Sequence, residues 1–212
     1  MALFQKKPQM GTNAPVYTLG LQKTVLIIGL GNVGKEYEGT RHNIGFACVD
    51  RLAESQDFAS WTEKKDLKAT VTTGTVGDTR VVLAKPNTMM NLSGEAVQAV
   101  SHFYKVNPQD TVIVHDELDI DFGQIRTRMG GSSAGNNGIK SVMQHLGEDF
   151  GRVRVGIGPK QPEQMDSADF VLAKFSSKEQ KQLKNLFQES TAVLTEFIYA
   201  SQLPVETRNF LV

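Results

Sequence analysis

The chain has one cysteine, and a single thiol cannot build an internal disulfide framework, so packing must hold the fold together. It has no excess of either charge. With 23 Lys and Arg against 23 Asp and Glu, nucleic-acid binding would require a local basic patch, because the surface as a whole is not basic. Long hydrophobic runs are missing too. No window approaches 18 apolar residues and the N-terminal MALFQKKPQMGTNAPVYTLGLQK has no apolar h-region, which excludes a membrane-spanning helix and a signal peptide and predicts a soluble, cytoplasmic protein. There is no internal repeat, no low-complexity tract and no GxSxG nucleophile elbow. The 212 residues, 40% of them hydrophobic, suffice for one compact domain that buries about 70% of its unfolded surface. Residues 1–22 are expected to form a flexible extension, or a segment laid across the body, ahead of a single domain over 23–212.

The apolar run Val25–Ile28 leads into Gly29, Gly31 and Gly34, a GxGxxG spacing. In a dinucleotide-binding turn a helix opens inside such a loop, and an acidic residue closes the next strand about 20 residues on. Here the loop instead continues through the polar KEYEGTRHN. Apolar spacing of helical period begins only at Ile44, with Ala47, Cys48 and Leu52, and Asp50 falls inside that helix. A nucleotide-dependent oxidoreductase is therefore set aside in favour of an exposed, functional loop that ends in Arg41-His42-Asn43. Cys48 lies on the apolar face of the helix and reads as a small core residue, not a nucleophile.

Strand and helix signals interleave along the rest of the chain. Residues 67–76 and 79–85 flank Gly77-Asp78 as a hairpin, and Pro86 closes it. Ser93 is expected to cap a helix through about residue 104, with Ala96, Val97, Val100, Phe103 and Tyr104 on its apolar stripe. Thr111–Val114 reads as a short buried strand, Gln124–Arg128 and Arg152–Ile157 as two more, with a short helix over Gly138–Leu146 between them. Ser176 and Glu179 make a capping box for a last helix to about residue 200, with Leu183, Leu186, Phe187, Leu194, Phe197 and Ile198 facing inward. The fold class that follows is α/β: a twisted, mostly parallel mixed sheet with one antiparallel hairpin, covered by helices on both faces.

In such sheets the working site lies beyond the carboxyl ends of the strands. The segments past the strands are GNVGKEYEGTRHN, PNTMMNLSG, HDELD and MGGSSAGNNGIK. They offer Asn32, His42, Asn91, Asp116 and Asn137: a base, an acid to orient it, and neutral hydrogen-bond donors, as an acyl-transfer site needs. No serine, cysteine or lysine sits in a nucleophile setting, which leaves water as the nucleophile. His115, Asp116, Glu117 and Asp119 resemble metal ligands in number, but side chains alternate faces along an extended segment and cannot all converge on one ion. GGSSAGNNGIKS is no triphosphate loop, because Ile139 stands where a P-loop requires glycine before Lys140. His102 and His145 lie in helical segments and read as surface or structural residues.

Four motifs, in this order, closely resemble bacterial-type peptidyl-tRNA hydrolase over residues 25–200: Gly-x-Gly-Asn-x-Gly-x-x-Tyr-x-x-Thr-Arg-His-Asn at 29–43, Met90-Asn91-Leu92-Ser93-Gly94, His115-Asp116-Glu117-Leu118-Asp119, and Asn137-Gly138-Ile139-Lys140. The resemblance implies a single-domain monomer that hydrolyses the ester between a stalled peptide and the 3′ end of tRNA, without metal or organic cofactor. It implies His42 as general base on water and Asp116 as the group that fixes its tautomer. Asn32, Tyr37, Asn43, Met90, Asn91 and Asn137 then belong to the substrate site. Arg126 with Arg128, and Arg152 with Arg154, are spaced by two on strands, so each pair shares a face; the family likeness assigns Arg128 and Arg154 to a tRNA phosphate. The implied partner is the acceptor stem and 3′ end of peptidyl-tRNA. Retention of both His42 and Asp116 favours the esterase over a noncatalytic RNA-binding relative of the same fold.

Two positions depart from the family pattern. Val33 replaces a usual proline and loosens the turn. Asn136 replaces a usual histidine and supplies a neutral amide in its place. Asn136→His is expected to change the rate by less than about tenfold, on the reasoning that the residue touches neither base nor orienter. Lys178, Lys181 and Lys184 read as one solvated side of the last helix.

Overall fold

Val25-Leu26-Ile27-Ile28 has no side chain suited to water on either face. The computed structural model, which describes residues 23–211, buries all four completely in the middle of a sheet as part of strand β1, Thr24–Gly29. The expected extension over 1–22 lies outside the described residues. The remaining strands are β2 (Thr62–Lys64), β3 (Ala69–Val76), β4 (Thr79–Pro86), β5 (Thr111–Asp121), β6 (Gln124–Met129), β7 (Gly151–Gly158) and β8 (Thr207–Asn209). Together they form one 8-stranded sheet in the order β2-β3-β4-β1-β5-β7-β6-β8. The centre, β4-β1-β5-β7, is parallel. Antiparallel strands are added on both flanks, β3 and β2 on one side, β6 and β8 on the other. The mixed α/β sheet is the expected one, with antiparallel pairing beyond the single hairpin of the sequence reading.

Alternation along each strand divides the core in two. Val25, Ile27, Val81, Leu83, Val112, Val114, Val153 and Val155 face helix α1 (Ile44–Ser55) and helix α6 (Leu183–Ala200). Leu26, Ile28, Val82, Ala84 and Ile113 face helix α2 (Ser93–Tyr104) and helix α3 (Asn137–Leu146). Cys48 is fully buried on the α1 side, and burial pushes its thiol up to about 12, in keeping with a core residue. Asp50, the acid at a tempting distance from the glycines, pairs with Lys85 at 2.6 Å.

Gly29 of the opening motif and Gly45 at the start of α1 serve helix packing. A Cβ on Gly29 would lie 2.2 Å from the carbonyl oxygen of Gly45, and a Cβ on Gly45 would lie 2.4 Å from that of Val114. No side chain fits either gap, so the start of α1 rests directly on the ends of β1 and β5. The segment before it makes two 3-10 turns, Lys35–Tyr37 and Arg41–Asn43, and the second is thereby held over the carboxyl edge of the parallel strands.

Three local expectations are corrected. Ser93 is not an N-cap: a 3-10 turn over Met90–Leu92 already winds the chain helically into α2, so Ser93 sits past the cap, buried, with its hydroxyl unpartnered among the described residues. The capping box of Ser176 and Glu179 is present, but it opens a short helix α5 (Ser177–Gln180), and the chain breaks at Lys181-Gln182 before α6. Lys178 and Lys184 consequently stand on different helices. Strand β5 runs to Asp121, so HDELD is strand, with a register shift after Glu117, and not a loop following one. Helix α4 (Ser167–Leu172), with Asp166 accepting from the Ala168 amide, has no counterpart in the sequence reading.

Candidate functional site

The loop that ends in Arg41-His42-Asn43 sends three consecutive side chains to three places. His42 Nδ1 lies 2.8 Å from Asp116 Oδ2 on β5. The Asp116 side chain is 3% exposed and that of His42 14%, so the carboxylate is buried behind an imidazole that reaches solvent. Donation from Nδ1 to the carboxylate leaves Nε2 as the ring's acceptor. Asn43 turns the other way: its Oδ1 accepts from the Asn32 amide at 2.8 Å and its Nδ2 donates to the Asn32 carbonyl at 2.9 Å. That two-point bracket fixes Asn32, whose own Oδ1 accepts from the Met90 amide at 2.7 Å. Arg41 is buried and reaches outward, donating to the Lys174 carbonyl at 2.8 Å and to Glu179 at 2.7 Å, with its guanidinium 4.4 Å from the Phe170 ring centroid. It straps α4 and α5 to the site, assisted by a bridge between Thr40 and Lys174.

These groups surround a cleft of about 570 Å³. Of the expected residues, Asn32, His42, Met90, Asn91, Asp116 and Asn137 line it together. Tyr37 and Asn43 do not: Asn43 braces Asn32 from behind, and the Tyr37 carbonyl takes the Thr40 amide and hydroxyl. The cleft also has an apolar wall, Met89, Leu118, Val171 and Leu172. The sequence reading missed that wall. Residues 167–172 are too few to show a helical period, and their one signal was Asp166 two residues ahead of Ala168.

Asn136 also lines the cleft, and here the premise that it touches neither His42 nor Asp116 is corrected. Its Nδ2 donates to Asp116 Oδ1 at 3.1 Å, so it touches the acid expected to orient His42. Next to Asp116, His115 is 1% exposed on the opposite face of β5. Its Nδ1 donates to the Asp116 carbonyl at 2.7 Å and, among the described residues, its Nε2 has no partner; burial lowers it to about 4. Glu117 is buried as well, and burial raises its carboxyl above the ordinary range.

Arg126, Arg128, Arg152 and Arg154 form two cross-strand pairs, Arg126 opposite Arg154 and Arg128 opposite Arg152. Because register partners share a face, four guanidinium groups are gathered on one side of β6 and β7. They divide by burial. Arg152 is 1% exposed and donates to the carbonyls of Gly131 and Ser132, holding the glycine-rich loop. Burial and the neighbouring Arg128 and Arg154 lower it to about 10. Arg128 and Arg154 are partly exposed and, among the described residues, neither has a carboxylate within ion-pair distance. Burial, then Arg128, lowers Arg154. Crowded cations without counter-charges are a standing attraction for a phosphate.

The fold and the cleft together define a class: an α/β protein with a His–Asp pair in a cleft at the carboxyl edge of a parallel sheet and a basic face beside it. The model of one family, described as peptidyl-tRNA hydrolase, matches residues 26–210. A peptidyl-tRNA hydrolase of Mycolicibacterium vanbaalenii is 47% identical over 184 residues, 86% of this chain and 94% of the relative. One of Lachnoclostridium phytofermentans is 44% identical over 165 residues, 77% of this chain and 85% of the relative. The crystal structure of peptidyl-tRNA hydrolase from Acinetobacter baumannii superposes with a TM-score of 0.78 at 34% identity, covering 85% of this chain and 91% of that one. The chain belongs to the peptidyl-tRNA hydrolase family, enzymes that release tRNA from peptidyl-tRNA by hydrolysing the ester bond between peptide and tRNA.

Proposed function

We propose that His42 is the general base of this hydrolysis and Asp116 its orienter. The observation that carries the reading is the 2.8 Å contact between His42 Nδ1 and the buried Asp116 carboxylate at the edge of the cleft. Nε2 takes a proton from water as the water oxygen bonds to the ester carbonyl carbon. Asp116 stabilises the imidazolium that forms. When the carbon–oxygen bond to the tRNA 3′ end breaks, the imidazolium returns the proton to the departing ribose oxygen. The reaction draws on side chains and water alone.

Neutral amides suit both ends of this process. Asn32 has its oxygen committed to the Met90 amide, so Nδ2 is the donor it can offer, and Asn91 and Asn137 supply further amides along the cleft. Such donors serve peptide backbone and a developing oxyanion alike and read no side chain. Met90, with the apolar wall, packs against the bound ester. Asn43 contributes by fixing Asn32, and the expected role of Tyr37 narrows to the turn ahead of Thr40.

Arg128 and Arg154 are assigned to a phosphate of the tRNA, which puts the acceptor stem against β6 and β7 and the 3′ end in the cleft. Residues 23–212 would act as one catalytic domain, a monomer in the cytoplasm where translation leaves its peptidyl-tRNA. The test is release of N-blocked amino acid from N-acyl-aminoacyl-tRNA: His42→Ala should abolish most turnover while tRNA is still bound, and activity within a few-fold of the parent would remove His42 from the mechanism.

A further inference from the structure

Asn136 stands where the side chain of a residue can meet the start of α3 and the end of β5 at once. Its Oδ1 accepts from the Ile139 amide at 3.1 Å, capping α3. Its Nδ2 donates to Asp116 Oδ1 at 3.1 Å and approaches the Asp116 carbonyl at 3.2 Å. The two contacts decide which way round the amide sits, since a backbone N–H needs the oxygen and a carboxylate needs the nitrogen. Asp116 is then held on every side: Oδ2 by His42, Oδ1 by Asn136, and its carbonyl by His115 and Asn136.

We infer that Asn136 is a positioning residue for catalysis, its amide tying the orienting carboxylate of Asp116 to the N-terminus of α3. A carboxylate bonded at one oxygen alone can rotate about its terminal torsion, which is broad for aspartate. The second bond, at the other oxygen, removes that freedom and fixes the direction in which Oδ2 meets His42. The helix that carries Asn137 into the cleft is thereby locked to the strand that carries Asp116, so the substrate-binding amide and the base keep a constant separation. The inference rests on the reading of Asp116 as orienter.

Serine caps a helix about as well as asparagine but is too short to donate to Asp116. Asn136→Ser should therefore lower kcat by about tenfold, the usual worth of a hydrogen bond to a charged group, with KM within about twofold and the unfolding midpoint within about 2 °C. Asn136→Asp keeps the capping oxygen and sets a like charge beside Asp116, so its loss of kcat should be larger. Asn136→His, which brings back an N–H donor, should recover most of what serine loses. In an Asp116→Asn background the serine substitution should do nothing further, because the carboxylate it would have released is gone. A kcat within twofold for Asn136→Ser, a change confined to KM, or losses that multiply fully in the double variant would overturn the role of Asn136. If Asp116→Asn by itself cost nothing, the failure would instead belong to the base-and-orienter reading.

Discussion

Two histidines are bonded through Nδ1 to the same aspartate, and they could hardly be more different in what they can do. His42 bonds the side chain of Asp116 and lines the cleft. His115 bonds the main-chain carbonyl of Asp116 from the other face of β5, buried, with no partner at Nε2 among the described residues. A base needs an open nitrogen on one side and a charge behind it; a structural histidine needs neither. Residue type and bonding atom are equal, so access to the cleft and the nature of the acceptor make the difference.

The comparison breaks most visibly at His42. His42→Ala should lower turnover by about 10²- to 10⁴-fold, while chemical denaturation should find stability little altered because the ring is partly exposed. The reverse holds for His115. In the folded state it titrates at about 4 against about 6.5 in the unfolded chain, so the unfolded chain takes up the proton first and stability falls with pH. The contribution is whole above about pH 7 and is lost as pH falls through 6 and 5 toward 4, by about 3 kcal/mol in all. His115→Asn keeps a donor near the Nδ1 position and removes the titration. Denaturant midpoints measured from pH 7 to 4 should accordingly be flatter for the variant, and a slope as steep as the parent's would assign the acid sensitivity elsewhere.

Smaller effects sharpen the same partition among the arginines. Arg154→Ala and Arg128→Ala should raise KM for full-length tRNA several-fold and reduce the salt slope of binding by about one, with short acyl esters barely affected. Equal losses on both kinds of substrate would mean that these side chains serve the fold as Arg152 does. Cys48 should show the least of all: a thiol-specific reagent at pH 8 should leave the native protein unlabelled and react only as it unfolds, since the thiol is buried and pushed up to about 12. Rapid stoichiometric labelling of the native state would contradict that burial.

The parts of the fold that were legible in the sequence are those with a long period: β1, the β3–β4 hairpin, and the helices over 44–55 and 93–104. The parts that were not are short or set by contacts far along the chain. Strands β2 and β8 have three residues each, and α4 has six, too few for alternation or helical spacing to register. The break between α5 and α6 was hidden by a capping box that is genuine but caps a shorter helix. Within the site, the motifs located the residues that meet in the cleft, yet not which of them brace the others. Nothing in the order Asn-Asn at 136–137 says that one amide turns back to Asp116 while the next faces the cleft. That division depends on how α3 is docked against β5, which is information held by the sheet register and not by local sequence.

The three-way divergence of Arg41, His42 and Asn43 also constrains how the gene for this protein can change. Point substitutions at 41 or 43 would each loosen one attachment, the α4–α5 strap or the Asn32 bracket. Inserting or deleting one codon between Thr40 and Ile44 would do something harsher: it would rotate every side chain into its neighbour's direction, and strap, proposed base and bracket would fail together.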